Sequence, residues 1–184
     1  DYGLVLRIAI RNNSHDIVTQ LLGLPAQLAT LTPEDYGIAL HTAIEREHVT
    51  VVTQLLGLPA QLGTLTPQDY GLVLRTAIER EHVTILTQLL GLQAQLGTLT
   101  PQDYGLVLRI AIRNNSHDIV TQLLGLPAQL ATLTPQDYGL VLRTAIERER
   151  VEIVTRLLGL QAQLATLTPQ DYRLYLRTAQ SSNS

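Results

Sequence analysis

The chain contains no cysteine, no lysine, and no phenylalanine, tryptophan or methionine. Without cysteine there is no disulfide and no thiolate metal site, and nothing marks the redox compartment. Without the large aromatics and methionine, any core must be built from Leu, Ile, Val, Ala and Tyr. All thirteen basic residues are arginine. Long apolar runs are also missing: no stretch approaches the roughly 18 residues a membrane helix needs, and no signal peptide is recognisable. A soluble, cytoplasmic, non-membrane chain is the expectation. The formal charge is −3, which argues against a large basic nucleic-acid surface. No initiator methionine is present, so a fragment or processed product is expected.

What the chain has in abundance is itself. "LTPEDYGIALHTAIEREHVTVVTQLLGLPAQLGT" begins at Leu31, and close variants follow at Leu65, Leu99 and Leu133, every 34 residues. Counted from Asp1, the copies are 1–34, 35–68, 69–102, 103–136 and 137–170, with a shorter remnant at 171–184. Copies one and four differ only at Glu34 against Gln136. Such periodicity is the mark of a repeat array, which here reads as one continuous domain. The lack of lysine then carries little information, because one copy supplies most of the independent positions.

The natural structural start is the Thr-Pro pair. Thr32 can accept from an orphan backbone N–H, and Pro33 suits the first helical position. Glu34 and Asp35 complement the positive end of the helix dipole. Tyr36, Leu40, Ala43 and Ile44 then share one helical face. These signals predict a first helix over Pro33 to Glu45, a tight turn at Arg46–Glu47, and a second helix over His48 to Leu56. Val51, Val52, Leu55 and Leu56 should face inward. In copies one and four the turn reads "RNNS", where Asn13 or Ser14 can cap the second helix. Gly57 fits a left-handed C-terminal position, and Pro59 blocks continuation. "AQL" then fits one further helical turn. No strand alternation is present, so the expected fold is an all-α solenoid of stacked helix-turn-helix repeats.

The two ends should differ. A glycine recurs inside the first helix at Gly3, Gly37, Gly71, Gly105 and Gly139, where it costs about 1 kcal/mol relative to alanine. Close approach by the following copy explains it. In the remnant, Arg173, Tyr175 and Gln180 replace Gly139, Val141 and Ile146, so 171–184 reads as a C-terminal capping helix and tail. The first copy keeps interior residues and begins after its Thr-Pro start. Its first helix should lack an N-cap, and its open apolar face suits end-to-end self-association or an upstream domain.

The middle of each copy resembles an ankyrin repeat. In "ALHTAIEREHVTVVTQLL", His41 falls on the ankyrin histidine, Ala43 on the core alanine and His48 on the histidine after the turn. Val51, Val52, Leu55 and Leu56 fall on the second-helix core. The period is 34 rather than 33, Glu47 stands at the turn glycine, and the β-hairpin motif is missing. This resemblance implies a protein-binding scaffold without catalysis. The opening Leu-Thr-Pro-Glu and Leu55-Leu56 are similar to the DNA-binding repeats of TAL effectors. Thr42 and Ala43 stand where those repeats carry a base-reading dipeptide, no Gly-Gly follows, and their phosphate-facing basic residues are missing.

No catalytic cysteine, lysine, phosphate loop or GxSxG occurs. Ser14, His15 and Asp16 are chain neighbours, which is not how a triad assembles. His41, Glu45 and His48 have ligand-like spacing, but the first helix should end before His48. They read as packing or hydrogen-bonding residues. No cofactor is expected, and the chain is not read as an enzyme. Substitutions between copies gather in the turn. The candidate partner-binding residues are therefore Arg11, Asn12, Asn13 and His15 in copy one, and Glu45, Arg46 and His48 in copy two. Their counterparts are Arg80 and His82, Arg113 and His117, and Arg148 and Arg150. A protein partner is the leading expectation. The alternatives are a purely structural or engineered array with no partner, and a nucleic-acid-binding repeat array.

Overall fold

A computed structural model describes residues 1–182. The helices group into two bodies, Asp1–Leu99 and Thr100 onward. The first holds α1 (Tyr2–Arg11), α2 (His15–Leu22), α3 (Pro25–Leu28), α4 (Pro33–Glu45), α5 (Val49–Leu56), α6 (Pro59–Leu62), α7 (Pro67–Glu79), α8 (Val83–Leu90) and α9 (Gln93–Leu96). The second holds α10 (Pro101–Arg113), α11 (His117–Leu124), α12 (Pro127–Leu130), α13 (Pro135–Glu147), α14 (Val151–Leu158), α15 (Gln161–Leu164) and α16 (Pro169–Ser182). No strand occurs among the described residues.

Each copy is a long helix, a shorter antiparallel partner and one helical turn. The Thr-Pro start works as expected: the Thr32 hydroxyl accepts from the Asp35 N–H at 3.1 Å, and Thr66 and Thr134 do the same for Asp69 and Asp137. Like helices then stack. In the first body α1 lies on α4 and α4 on α7, while α2 lies on α5 and α5 on α8. In the second, α10 lies on α13 and α13 on α16. This is the packing of an α-solenoid, in which a copy buries its apolar face only against its neighbours.

The core is aliphatic with one aromatic per copy. Tyr36, Tyr70, Tyr104 and Tyr138 are wholly buried. A buried hydroxyl needs a partner. Each donates to the carbonyl of a leucine in the last turn of its own second helix. The bonds run Tyr36 to Leu55 at 2.8 Å, Tyr70 to Leu89 at 2.9 Å, Tyr104 to Leu123 at 2.8 Å and Tyr138 to Leu157 at 2.6 Å. The bond ties the start of one helix to the end of the other and satisfies a terminal carbonyl. Burial pushes the phenols of Tyr36, Tyr70 and Tyr104 well above the ordinary tyrosine range, and that of Tyr138 up to about 12.

Glycines in the long helix sit under the next copy, as expected. A Cβ at Gly37 would stand 3.1 Å from the Asp69 carboxylate, and one at Gly105 3.1 Å from that of Asp137. Amide ladders tie the second helices: Gln54 donates to the Thr19 hydroxyl, and Gln88 to that of Thr53 at 2.9 Å.

Several expectations need correction. The left-handed residue is not Gly57, which has φ −81°. It is Glu47, with φ 58°, and its counterparts Asn13, Glu81, Asn115 and Glu149. The His48 N–H bonds the Ala43 carbonyl at 2.9 Å and the Glu47 N–H bonds that of Ile44 at 3.0 Å. That pair of bonds is a Schellman closure of the long helix, a position glycine usually takes. Replacing Glu47 by glycine should relieve the left-handed cost, leaving a net gain of up to about 1 kcal/mol after the entropy of the more flexible unfolded chain. A rightward shift of the urea midpoint at unchanged slope checks this.

The first helix does have an N-cap: the Asp1 carboxylate accepts from the Gly3 N–H at 3.0 Å. Ser14 occupies the cap position of α2 but makes no side-chain cap bond. Leu56 is only half-buried. Within the capping helix Tyr175 is buried, and its hydroxyl reaches back beneath Gly139. Arg173 and Gln180 are exposed. The open face of copy one is as expected: Val5 is 47% exposed, whereas Val107 and Val141 are buried.

Candidate interaction surface

The turn between the two helices of each copy forms one edge of each body. In the first body it exposes Arg11, Asn12 and Asn13, then Glu45, Arg46 and Glu47, then Arg80 and Glu81. His15 is exposed and pairs with Asp16 at 3.4 Å. His48 and His82 are half-buried at the N-cap positions of α5 and α8. His82 Nδ1 accepts from the Ile85 N–H at 3.4 Å, which requires that nitrogen to be unprotonated. His48 Nδ1 is buried without a partner.

In the second body the same edge holds a cleft of about 220 Å³ between successive turns. Its floor is Ala111, Ile112, Val120 and Ile153, and its rim is Asn115, Ser116, His117, Glu149, Arg150 and Glu152. The Nε of Arg150 is buried there without a partner. Of the residues expected from the sequence, His117 and Arg150 line this cleft, whereas Arg113 and Arg148 are exposed nearby in the chain and do not. Glu45, on the turn edge of the first body, also faces His41 at 3.8 Å along α4. The other ring nitrogen of His41 meets the Thr76 hydroxyl at 3.2 Å, so this histidine is a hydrogen-bonding residue between stacked copies.

Among the described residues no three His, Asp or Glu side chains gather as a metal site. The edge of the second body combines both signs of charge with an apolar floor.

A second feature was missed in the sequence. The long helix keeps one aliphatic residue on its solvent side in every copy. Leu4, Ile38 and Leu72 are 47%, 44% and 40% exposed in the first body; Leu140 and Leu174 are 41% and 40% exposed in the second, where Leu106 is half-buried. Beside them, three residues on, run Arg7, His41 and Arg75, then Arg109, Arg143 and Arg177. The signal was available. Position 38 lies off the face defined by Tyr36, Leu40 and Ala43, yet it is Leu or Ile in all six copies. The remnant, altered at 173, 175 and 180, still keeps Leu174 and Arg177.

This architecture defines the class: an all-α protein of stacked helical repeats. No helix is long and apolar enough to cross a membrane among the described residues. Comparison with family profiles, curated proteins and solved structures returns no match.

Proposed function

We propose that the chain is a non-enzymatic repeat scaffold that binds a protein through its turn edge, a role akin to that of ankyrin-like repeats. One observation carries this reading. At the tip of every turn a residue with a side chain holds the left-handed conformation that glycine would adopt at less cost. Glu occupies it three times and Asn twice. Local backbone cost of this kind gathers at functional positions. The tip side chains project from the segment in which substitutions between copies concentrate. The exposed face of the first copy adds end-to-end self-association to this reading, to be checked by sedimentation over a dilution series.

The test uses a photo-crosslinker carried at Arg148 in the whole chain. It should capture a discrete protein from a native lysate of the source cell. Replacing Glu47, Glu81 and Glu149 together by glycine should abolish capture while the helical circular dichroism is unchanged. Capture that survives this triple replacement, or none in the parent chain, refutes the reading. A gel shift persisting at about 150 mM salt would favour nucleic-acid binding instead.

A further inference from the structure

We infer that the C-terminal end of the second body carries a docking slot for one amphipathic helix of a partner protein, a helix that runs two β-branched residues, two polar residues and two leucines up to a glycine. Its residues differ from those of the turn edge, and the inference goes beyond the reading given for that edge.

In copies four and five the long helix holds its second helix on the face that carries the tyrosine: α10 packs on α11 and α13 on α14. Tyr104 and Tyr138 are wholly buried there, and each donates its hydroxyl to a last-turn leucine carbonyl of the second helix. α16 keeps that face. Tyr172, Leu176 and Ala179 stand at the positions of Tyr138, Leu142 and Ala145. Among the described residues no second helix follows α16. Tyr172 is 42% and Leu176 62% exposed, whereas Tyr138 and Leu142 are buried. α14, packed like α16 on α13, supplies the other wall. Its Leu158 is exposed and its Val154 half-buried, where Leu124 and Val120 of α11 are buried. The first body shows such a slot filled: α5 lies against both α4 and α2, and α8 against both α7 and α5. A single exposed leucine needs no explanation, but these five residues are all core positions one copy earlier.

α16 has lost what a further copy needs and kept what one helix needs. Long helices approach one another over a glycine: a Cβ at Gly105 would stand 3.1 Å from the Asp137 carboxylate. The same position in α16 is Arg173, whose side chain obstructs a further long helix. Ile112 lines the cleft with Ile153 of the next second helix, and its counterpart in α16 is the exposed Gln180. The slot therefore takes one helix. The first copy of a second molecule, which brings α1 packed on α2, does not fit. The chain's own second helices show what does. α11 buries a β-branched pair, Ile119 and Val120, and a leucine pair, Leu123 and Leu124. The Tyr172 hydroxyl stands ready for a last-turn carbonyl, a group that has no partner within its own helix. Thr155 donates to the Val151 carbonyl at 2.9 Å and keeps a lone pair for an amide, as Thr53 accepts from Gln88. An extended segment would leave its own N–H and C=O groups unpaired against this apolar wall, whereas a helix satisfies them internally.

The probe is a labelled peptide with the sequence of residues 115–130, side-chain linked between the positions of His117 and Thr121, both exposed in α11, so that the helix is formed in solution. Fluorescence anisotropy with the whole chain should show saturable binding below about 1 mM, the weak range of so small an interface. Leu158→Ser with Leu176→Ser should weaken it at least about tenfold. Both positions are exposed, and unchanged circular dichroism verifies folding. A peptide with serine at its leucine pair should not bind. Because α11 has the peptide's sequence, amide exchange locates the site: protection should rise over 151–158 and 172–180 and stay unchanged over 117–124. No binding up to about 1 mM, binding indifferent to the double substitution, or protection gained elsewhere overturns the inference. So does dimerisation of the parent chain that the double substitution abolishes, since a second copy then occupies the slot. The glycine turn variant should bind the peptide as the parent does; loss of binding in it places the peptide on the turn edge and overturns the slot. Capture through Arg148 reports only on the edge, so either reading can fail alone.

Discussion

Between pH 10 and 12 the protein is expected to lose most of its stability, with tyrosine as the cause. Unfolded tyrosine ionises near pH 10. The folded phenols of Tyr36, Tyr70, Tyr104 and Tyr138 are held protonated well above that by burial. Below pH 10 both states hold the proton, and the folded state keeps its full stability. Above it, the unfolded chain releases protons that the folded chain retains, so stability falls as pH rises. Each phenol contributes about 1.4 kcal/mol per pH unit, and four together roughly 5 kcal/mol. That is comparable with the total stability of many domains. The composition makes the test clean: with no lysine and no cysteine, no other abundant side chain titrates in this window. Thermal melts from pH 8 to 12, read with tyrosinate absorbance, check it. Ionisation of the buried phenols near pH 10 with helicity intact would show that they are not held by the fold. Tyr70→Phe should lessen the pH slope by up to about a quarter, since it removes one of the four wholly buried phenols while Tyr2 and Tyr175, also raised by burial, remain.

The second large effect separates two neighbouring positions. Leu55→Ala should destabilise by about 2–5 kcal/mol, because Leu55 is wholly buried between stacked second helices. Its backbone carbonyl also receives the Tyr36 hydroxyl, so backbone adjustment around the cavity would strain that bond. Thr53→Ala, two residues away, should cost less than about 1 kcal/mol. Thr53 is exposed; its hydroxyl bonds the Val49 carbonyl and accepts the Gln88 amide, both at the wet surface. Urea midpoints at constant slope measure the difference. Equal shifts would mean that the inward face of α5 has been misassigned.

Local signals were legible and long-range ones were not. The Thr-Pro cap and helical spacing located α4 at its observed bounds, because these rest on contacts within three or four residues. The turn at Arg46–Glu47 was also readable. Its left-handed residue was not, since a glycine ten residues later offered the stronger composition cue. Tyr36 was recognisable as inward, but its bond to Leu55 joins residues 19 apart and depends on how two helices pack. Tyr175 was legible as part of a cap because a larger residue stands at a terminal copy, but its placement beneath Gly139 was not, since that depends on how α16 packs on α13. The turn edge was legible because substitutions between copies concentrate there. The aliphatic column escaped because a leucine in a leucine-rich helix looks like core until its exposure is known.

The amide ladder and the glycine contact have a genetic consequence. Gln54 reaches Thr19, Gln88 reaches Thr53, and Gly37 receives Asp69, all through positions that recur in neighbouring copies. The turn residues take no part in these joints. Through these joints one interior copy can therefore follow another whichever turn it carries. Misaligned recombination in the encoding DNA, shifted by whole copies, would add or delete a copy without creating an untested joint. Length and the order of turn types can then change in single events, whereas a change inside a joint would have to be matched in the neighbouring copy.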